Sequence, residues 1–281
     1  MAAVTGVATP CNRSCFPIMS FLHVPGKMSQ PLWLMMGTAF LVRVPGGAHL
    51  GGPTFNDSAY ARNLNCGTRR VLLTAKHTFV PWQYTDPQKL KIPEEFRKTR
   101  FVIGRLYLPD DEGRAVGSRT VDLQLMALHP SLDISLVAVR PTSRPLQGLP
   151  GGCGHATVGG AWEAHAELER RAEAAGGGLE LSVENPAEGS LCRIFGYRGT
   201  GLLGELDTFD PDLLQRVSSE TREQLLESMN CVEGKQEGAS TQVEVLSSEG
   251  MCRMVTGRCF HGMSGAPLLV DEKTCGGVLY G

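Results

Sequence analysis

Short runs of β-branched and large apolar residues, cut apart by glycine, proline and aspartate, recur along most of this chain. They constrain it to an all-β sandwich or barrel architecture, which many short strands separated by turn signals indicate. The first set comprises Gly37–Val44, Arg70–Thr74, Phe101–Leu108, Leu123–Leu128 and Ile134–Val139. A second set comprises Leu191–Tyr197, Thr241–Leu246, Met251–Thr256, Pro267–Val270 and Gly276–Tyr280. The stretch Pro141–Gly154, rich in proline and glycine, divides the two sets and reads as a linker. A pair of packed barrels is therefore expected, the first over 31–140 and the second over 155–281. With 281 residues and an apolar fraction of 42%, the chain has material for a packed core.

Two segments break the β pattern. Ala161–Ala175, flanked by glycines and rich in alanine and glutamate, predicts an exposed helix with little apolar face. Asp210-Pro211 is a helix start, with an N-cap aspartate and proline at the first helical position. Leu214, Val217, Thr221, Leu225 and Met229 follow at intervals of three and four, so Pro211–Met229 is expected to dock one stripe on the barrel. Both read as insertions in the second barrel. Residues 1–30 read as an N-terminal extension. They lack the basic start and apolar core of a secretory signal, and no acidic residue precedes Asp57, a composition compatible with a mitochondrial targeting role.

The longest apolar stretch, Leu32 to Val42, is broken by Gly37-Thr38 and falls short of the ~20 residues a membrane span needs. It reads as a buried strand. Lys and Arg number 27 against 29 Asp and Glu, which argues against nucleic acid as a partner. Nine cysteines cannot all pair internally. Reduced thiols in an intracellular protein, mitochondrial or cytosolic, are the expectation. Cys252, Cys259 and His261 fit no zinc-binding spacing, so neither a metal nor a cofactor is expected.

Three segments carry chemistry. Gly262-Met263-Ser264-Gly265-Ala266-Pro267 places a serine between glycines, which allow a tight turn with amides aimed inward. Val71-Leu72-Leu73-Thr74-Ala75-Lys76-His77 is a β-rich run ending in a histidine, and Asp133 stands at the mouth of the apolar run Ile134–Val139. A serine nucleophile needs a base and a group to orient that base. The chain supplies them in the order His77, Asp133, Ser264.

These segments resemble the trypsin/chymotrypsin-type serine protease family. Thr74-Ala75-Lys76-His77 is similar to its T-A-A-H, Asp133-Ile134-Ser135-Leu136 to D-I-A-L, and Gly262 to Pro267 to G-D-S-G-G-P. Gly37 to Val42 is similar to G-S/T-G-F-L-V, and Gly276 to Gly281 to G-I-V-S-W-G. The resemblance implies two six-stranded barrels with the triad between them, and a serine endopeptidase acting on polypeptides. It implies an oxyanion hole from the amides of Gly262 and Ser264, and substrate-binding positions at Arg258, Leu279 and Gly281. An arginine at position 258 would favour an acidic substrate side chain.

The departures from the pattern have consequences. Met263 stands where activated secreted members carry aspartate, so no zymogen ion pair is expected, and non-zymogen bacterial or organellar members are the nearer analogy. Lys76 replaces a small residue, and its side chain is expected to point away from His77. The family continues past the Gly281 position with one more strand, so the second barrel is expected to be incomplete at the C-terminus. A free edge would then run along Gly276–Tyr280, to be covered by Pro211–Met229 or by a partner protein. The alternative function is a catalytically inactive, protease-like scaffold within a larger assembly.

Overall fold

Cys15–Leu22 (β1) is a strand whose residues are all buried, and its packing sets the layout of the molecule. The computed structural model describes residues 13–28, 31–43, 71–84, 92–111, 113–139, 158–199, 236–249, 252–257 and 259–280. β1 pairs on one side with Leu32–Leu41 (β2) and on the other with Val102–Pro109 (β4). Val71–Thr74 (β3), Ala115–Leu128 (β5) and Ser135–Val139 (β6) complete a closed antiparallel barrel in the order β1-β2-β3-β6-β5-β4. Phe16, Ile18 and Leu22 of β1 fill this barrel with Leu34, Leu41, Leu72, Leu106, Leu123 and Val137. Cys15 instead packs with Phe195 and Tyr197 of the second sheet. A strand buried on both faces loses the polar–apolar alternation that marks a half-exposed one. That is why β1 lies hidden within 1–30, the stretch the sequence sets apart as an extension.

The second sheet holds Glu180–Leu181 (β7), Leu191–Gly199 (β8), Gln236–Glu249 (β9), Cys252–Val255 (β10), Pro267–Leu269 (β11) and Thr274–Val278 (β12). Its order is β10-β9-β8-β11-β12-β7, and it curls into a half-barrel rather than closing. Closed barrel and curled half-barrel together make a two-barrel, chymotrypsin-like all-β fold with its second unit open. β7 pairs with β12 in parallel at Thr274 and Cys275 alone, and among the described residues no strand pairs with the outer side of Gly276–Val278, part of the edge expected to be free. The expected cover, Pro211–Met229, and the linker 141–154 lie outside the described residues.

Between the two units lies a shared apolar core. Phe40, Val42 and Val71 of the first meet Leu179, Phe195, Tyr197, Leu269 and Cys275 of the second. One helix, Val158–Ala174 (α1), precedes β7. It is not the exposed element expected from Ala161–Ala175. Ala164, Leu168 and Ala172, one turn apart, are buried in the core of the first barrel, although the helix falls within 155–281. Glu167 fastens it there by ion pairs to Arg119 of β5 and to Arg170 and Arg171 of the helix itself. The Arg171 guanidinium also donates to Pro109 O at 2.8 Å. Burial works to raise the Glu167 carboxyl, but the three arginines outweigh it and hold the group below its ordinary value. No helix among the described residues is long and apolar enough to cross a membrane.

Candidate active site

β3 and β6 run antiparallel with Thr74 opposite Ser135. That register brings the residues just after β3 level with those just before β6. His77 occupies a single 3-10 turn, Lys76–Thr78, and Asp133 lies in the turn leading into β6. The carboxylate of Asp133 grips the histidine twice. Its Oδ1 accepts from the backbone N–H of His77 at 2.8 Å, and its Oδ2 lies 2.5 Å from the ring Nδ1. Burial acts to raise the Asp133 carboxyl, but the hydrogen bonds and charge of His77 dominate and hold it below the ordinary value. The pair is therefore set up with an ionised carboxylate against an Nδ1–H.

The other ring nitrogen, Nε2, is buried and has no hydrogen-bond partner, so no bond to Ser264 is formed. The serine loop is nevertheless fixed to the first barrel close by. Ser264 O accepts from Thr38 N at 2.8 Å, and Gly262 O accepts from the Thr38 hydroxyl at 3.1 Å. Gly265 seats against Thr74 and Ala75 just upstream of His77. A Cβ there would collide with Thr74 Oγ1 and Thr38 O and lie 2.7 Å from Ala75 N, and its φ of +88° belongs to glycine in any case. Among the described residues the amides of Gly262 and Ser264 donate to no carbonyl. Met263 is fully buried against Cys192, Ile194, Ala266 and Leu268, an apolar seat in place of an ion pair.

Of the expected substrate-binding residues, Leu279 belongs to this loop. It accepts from Gly265 N and donates to Ala266 O, both at 2.8 Å. Arg258 and Gly281 lie outside the described residues. Lys76 does turn away from His77. Its Nζ donates to His129 O at 3.1 Å, although the backbone there is a 3-10 turn rather than the extended segment assumed.

The residue that sequence reasoning missed is Tyr84. It caps the 3-10 turn Pro81–Gln83, and burial together with the neighbouring Asp133 carboxylate pushes its phenol up to about 12. Its ring stands edge-on to His77, with centroids 5.9 Å apart and planes at 71°. No motif or spacing marks it, since the contact exists only once β3 and β6 are paired. Among the described residues Cys192, Cys252 and Cys259 form no disulfide, and no three His, Cys, Asp or Glu side chains converge as a metal site.

No family profile matches the chain, and no curated protein matches it in sequence. Among solved structures it is similar to a thermostable serine protease, AL20, from an extremophilic microorganism. The identity is 10%, the TM-score 0.39, and the match covers 92% of this chain and 79% of that one.

Proposed function

We propose that this chain is a serine endopeptidase that cleaves polypeptides through His77, Asp133 and Ser264. The observation that carries the reading is the double grip of Asp133 on His77, which commits Nδ1–H to the carboxylate and leaves Nε2 as an unpartnered base. In the proposed reaction Ser264 Oγ attacks the scissile carbonyl while its proton passes to His77 Nε2. The imidazolium is stabilised by Asp133, and the oxyanion is received by the amides of Gly262 and Ser264. Collapse breaks the C–N bond, and the leaving amine takes the proton from Nε2. Water, deprotonated by His77, then releases the acyl group and regenerates Ser264. No metal or organic cofactor takes part in this sequence of steps.

The apolar seat of Met263 supports activity without cleavage of the N-terminus, because the loop is packed rather than held by an ion pair. The unbridged Cys192, Cys252 and Cys259 are in keeping with a reducing, intracellular setting.

One observation favours the scaffold alternative, namely the missing bond between Ser264 and His77. Bonds of this kind are often long without substrate and tighten in the complex, so the question goes to experiment. A fluorophosphonate probe should label Ser264 in the intact chain and leave Ser264→Ala unlabelled. Peptide turnover should fall in that variant by about a millionfold. A folded chain that takes no label is a scaffold.

A further inference from the structure

Tyr84 belongs to none of the segments that announce the site, yet it touches two of the three proposed catalytic groups. We infer that Tyr84 is a positioning residue: its hydroxyl is a further donor to Asp133 and its ring walls the imidazole of His77, so carboxylate and base keep one mutual orientation. This inference rests on the endopeptidase reading.

An ionised carboxylate offers about four lone-pair sites. His77 takes one on each oxygen of Asp133, which leaves room for the Tyr84 hydroxyl, whose proximity raises its own phenol and lowers the carboxyl. Nearly half of Tyr84 is exposed, at 48%, and a tyrosine so placed would ordinarily wander among rotamers. Here it is held from several sides. Its backbone N–H donates to Pro81 O at 3.0 Å. Its ring meets His77 edge-on, an arrangement favoured by aromatic quadrupoles. The Lys76 ammonium lies 5.5 Å from the ring centroid, within cation–π reach, and is itself tethered to His129 O. Burial first, then the charge of Asp133 and the hydrogen bond to it, push the Tyr84 phenol up to about 12. The hydroxyl is thus protonated, and a donor, wherever a histidine base can work.

The electrostatic consequence has a definite sign. A donor on the carboxylate draws on its charge and lessens its pull on the imidazolium. Removing that donor makes His77 hold its proton more tightly. Among the described residues, the charged and titratable groups near the imidazole are Asp133, Tyr84 and, over the far ring, Lys76. The Tyr280 phenol is also close enough to feel the charge of Asp133. Tyr84→Phe changes one of these groups and keeps the ring.

The test uses the full chain. In Tyr84→Phe the His77 ring titration, followed by NMR, should move to higher pH by on the order of half a unit. The acid limb of fluorophosphonate labelling at Ser264 should move with it. A folded Tyr84→Phe with an unmoved His77 titration overturns the inference, whatever its melting temperature, because a purely structural tyrosine changes only stability. Should Tyr84→Phe not fold, the coupling is read from the other side. In Asp133→Asn the Tyr84 phenol should titrate below its wild-type midpoint, and an unchanged midpoint overturns the inference. If the wild type takes no label at all, the endopeptidase reading falls, while the His77 titration still decides the part played by Tyr84.

Discussion

Thr38 shows how much of the site depends on one fully buried side chain. Its hydroxyl accepts from Tyr197 N at 2.8 Å and donates to Gly262 O, while its carbonyl accepts from the Thr74 hydroxyl at 2.7 Å. Thr38→Val keeps the shape but strands a buried N–H and a buried carbonyl, which should cost about 2–4 kcal/mol in a urea titration. The variant should also loosen the serine loop, so labelling of Ser264 should slow by more than stability alone accounts for.

Asp133 gives a pH dependence with a fixed sign. Its folded carboxyl is depressed, so it binds a proton less readily than in the unfolded chain. The stability this contributes is present above the unfolded value, near ~4, and is lost as pH falls through the folded one. Urea midpoints measured at pH 5 and pH 3 should therefore drop further for the wild type than for Asp133→Asn. The depressed Glu167 adds a fall of the same sign to both proteins. The contact of His77 with Asp133 was legible because both sit at strand ends with short local signatures. Tyr84 was not, because a lone tyrosine after a proline carries none.

Elements were legible in proportion to how one-sided their burial is. β8 and β11 appear where their apolar runs predict. β5 begins at Ala115, well before the expected Leu123, because strand pairing carries polar residues such as Thr120 opposite Tyr107. The face of α1 was misread because, among its described residues, the buried stripe is two alanines and one leucine, too small to register as apolar. Its attachment can be tested by contrast. Leu168, 1% exposed, should cost about 2–5 kcal/mol on truncation to alanine. Arg170→Ala removes an ion pair whose arginine is 71% exposed and should change the denaturation midpoint by no more than ~1 kcal/mol.

At the scale of the molecule, two barrels meet across an apolar core, and one short segment stitches them. Leu179 donates to Leu41 O at 2.9 Å and accepts from Arg43 N at 2.8 Å, both on the first barrel. The next residue, Glu180, donates to Lys273 O, and Ser182 donates to Cys275 O, on the second. The order of the closed barrel was not legible in the sequence, since apolar runs say nothing of which strand neighbours which. The stitch was invisible, because its pairing is two residues long. The wild type should unfold in a single calorimetric transition. Leu179→Pro, which deletes the N–H given to Leu41, should split it into two.

The same stitch sets the manner in which a substrate could be met. Jaws that close on their prey need slack between the halves, and here successive residues of one segment are tied to opposite sides. The seam between the two units is thereby held at one spacing. On the endopeptidase reading, a polypeptide would have to arrive already unravelled, so a folded protein would be vulnerable only where it frays. Cutting rates on a folded target should then follow that target's own local unfolding, and not its affinity for this surface.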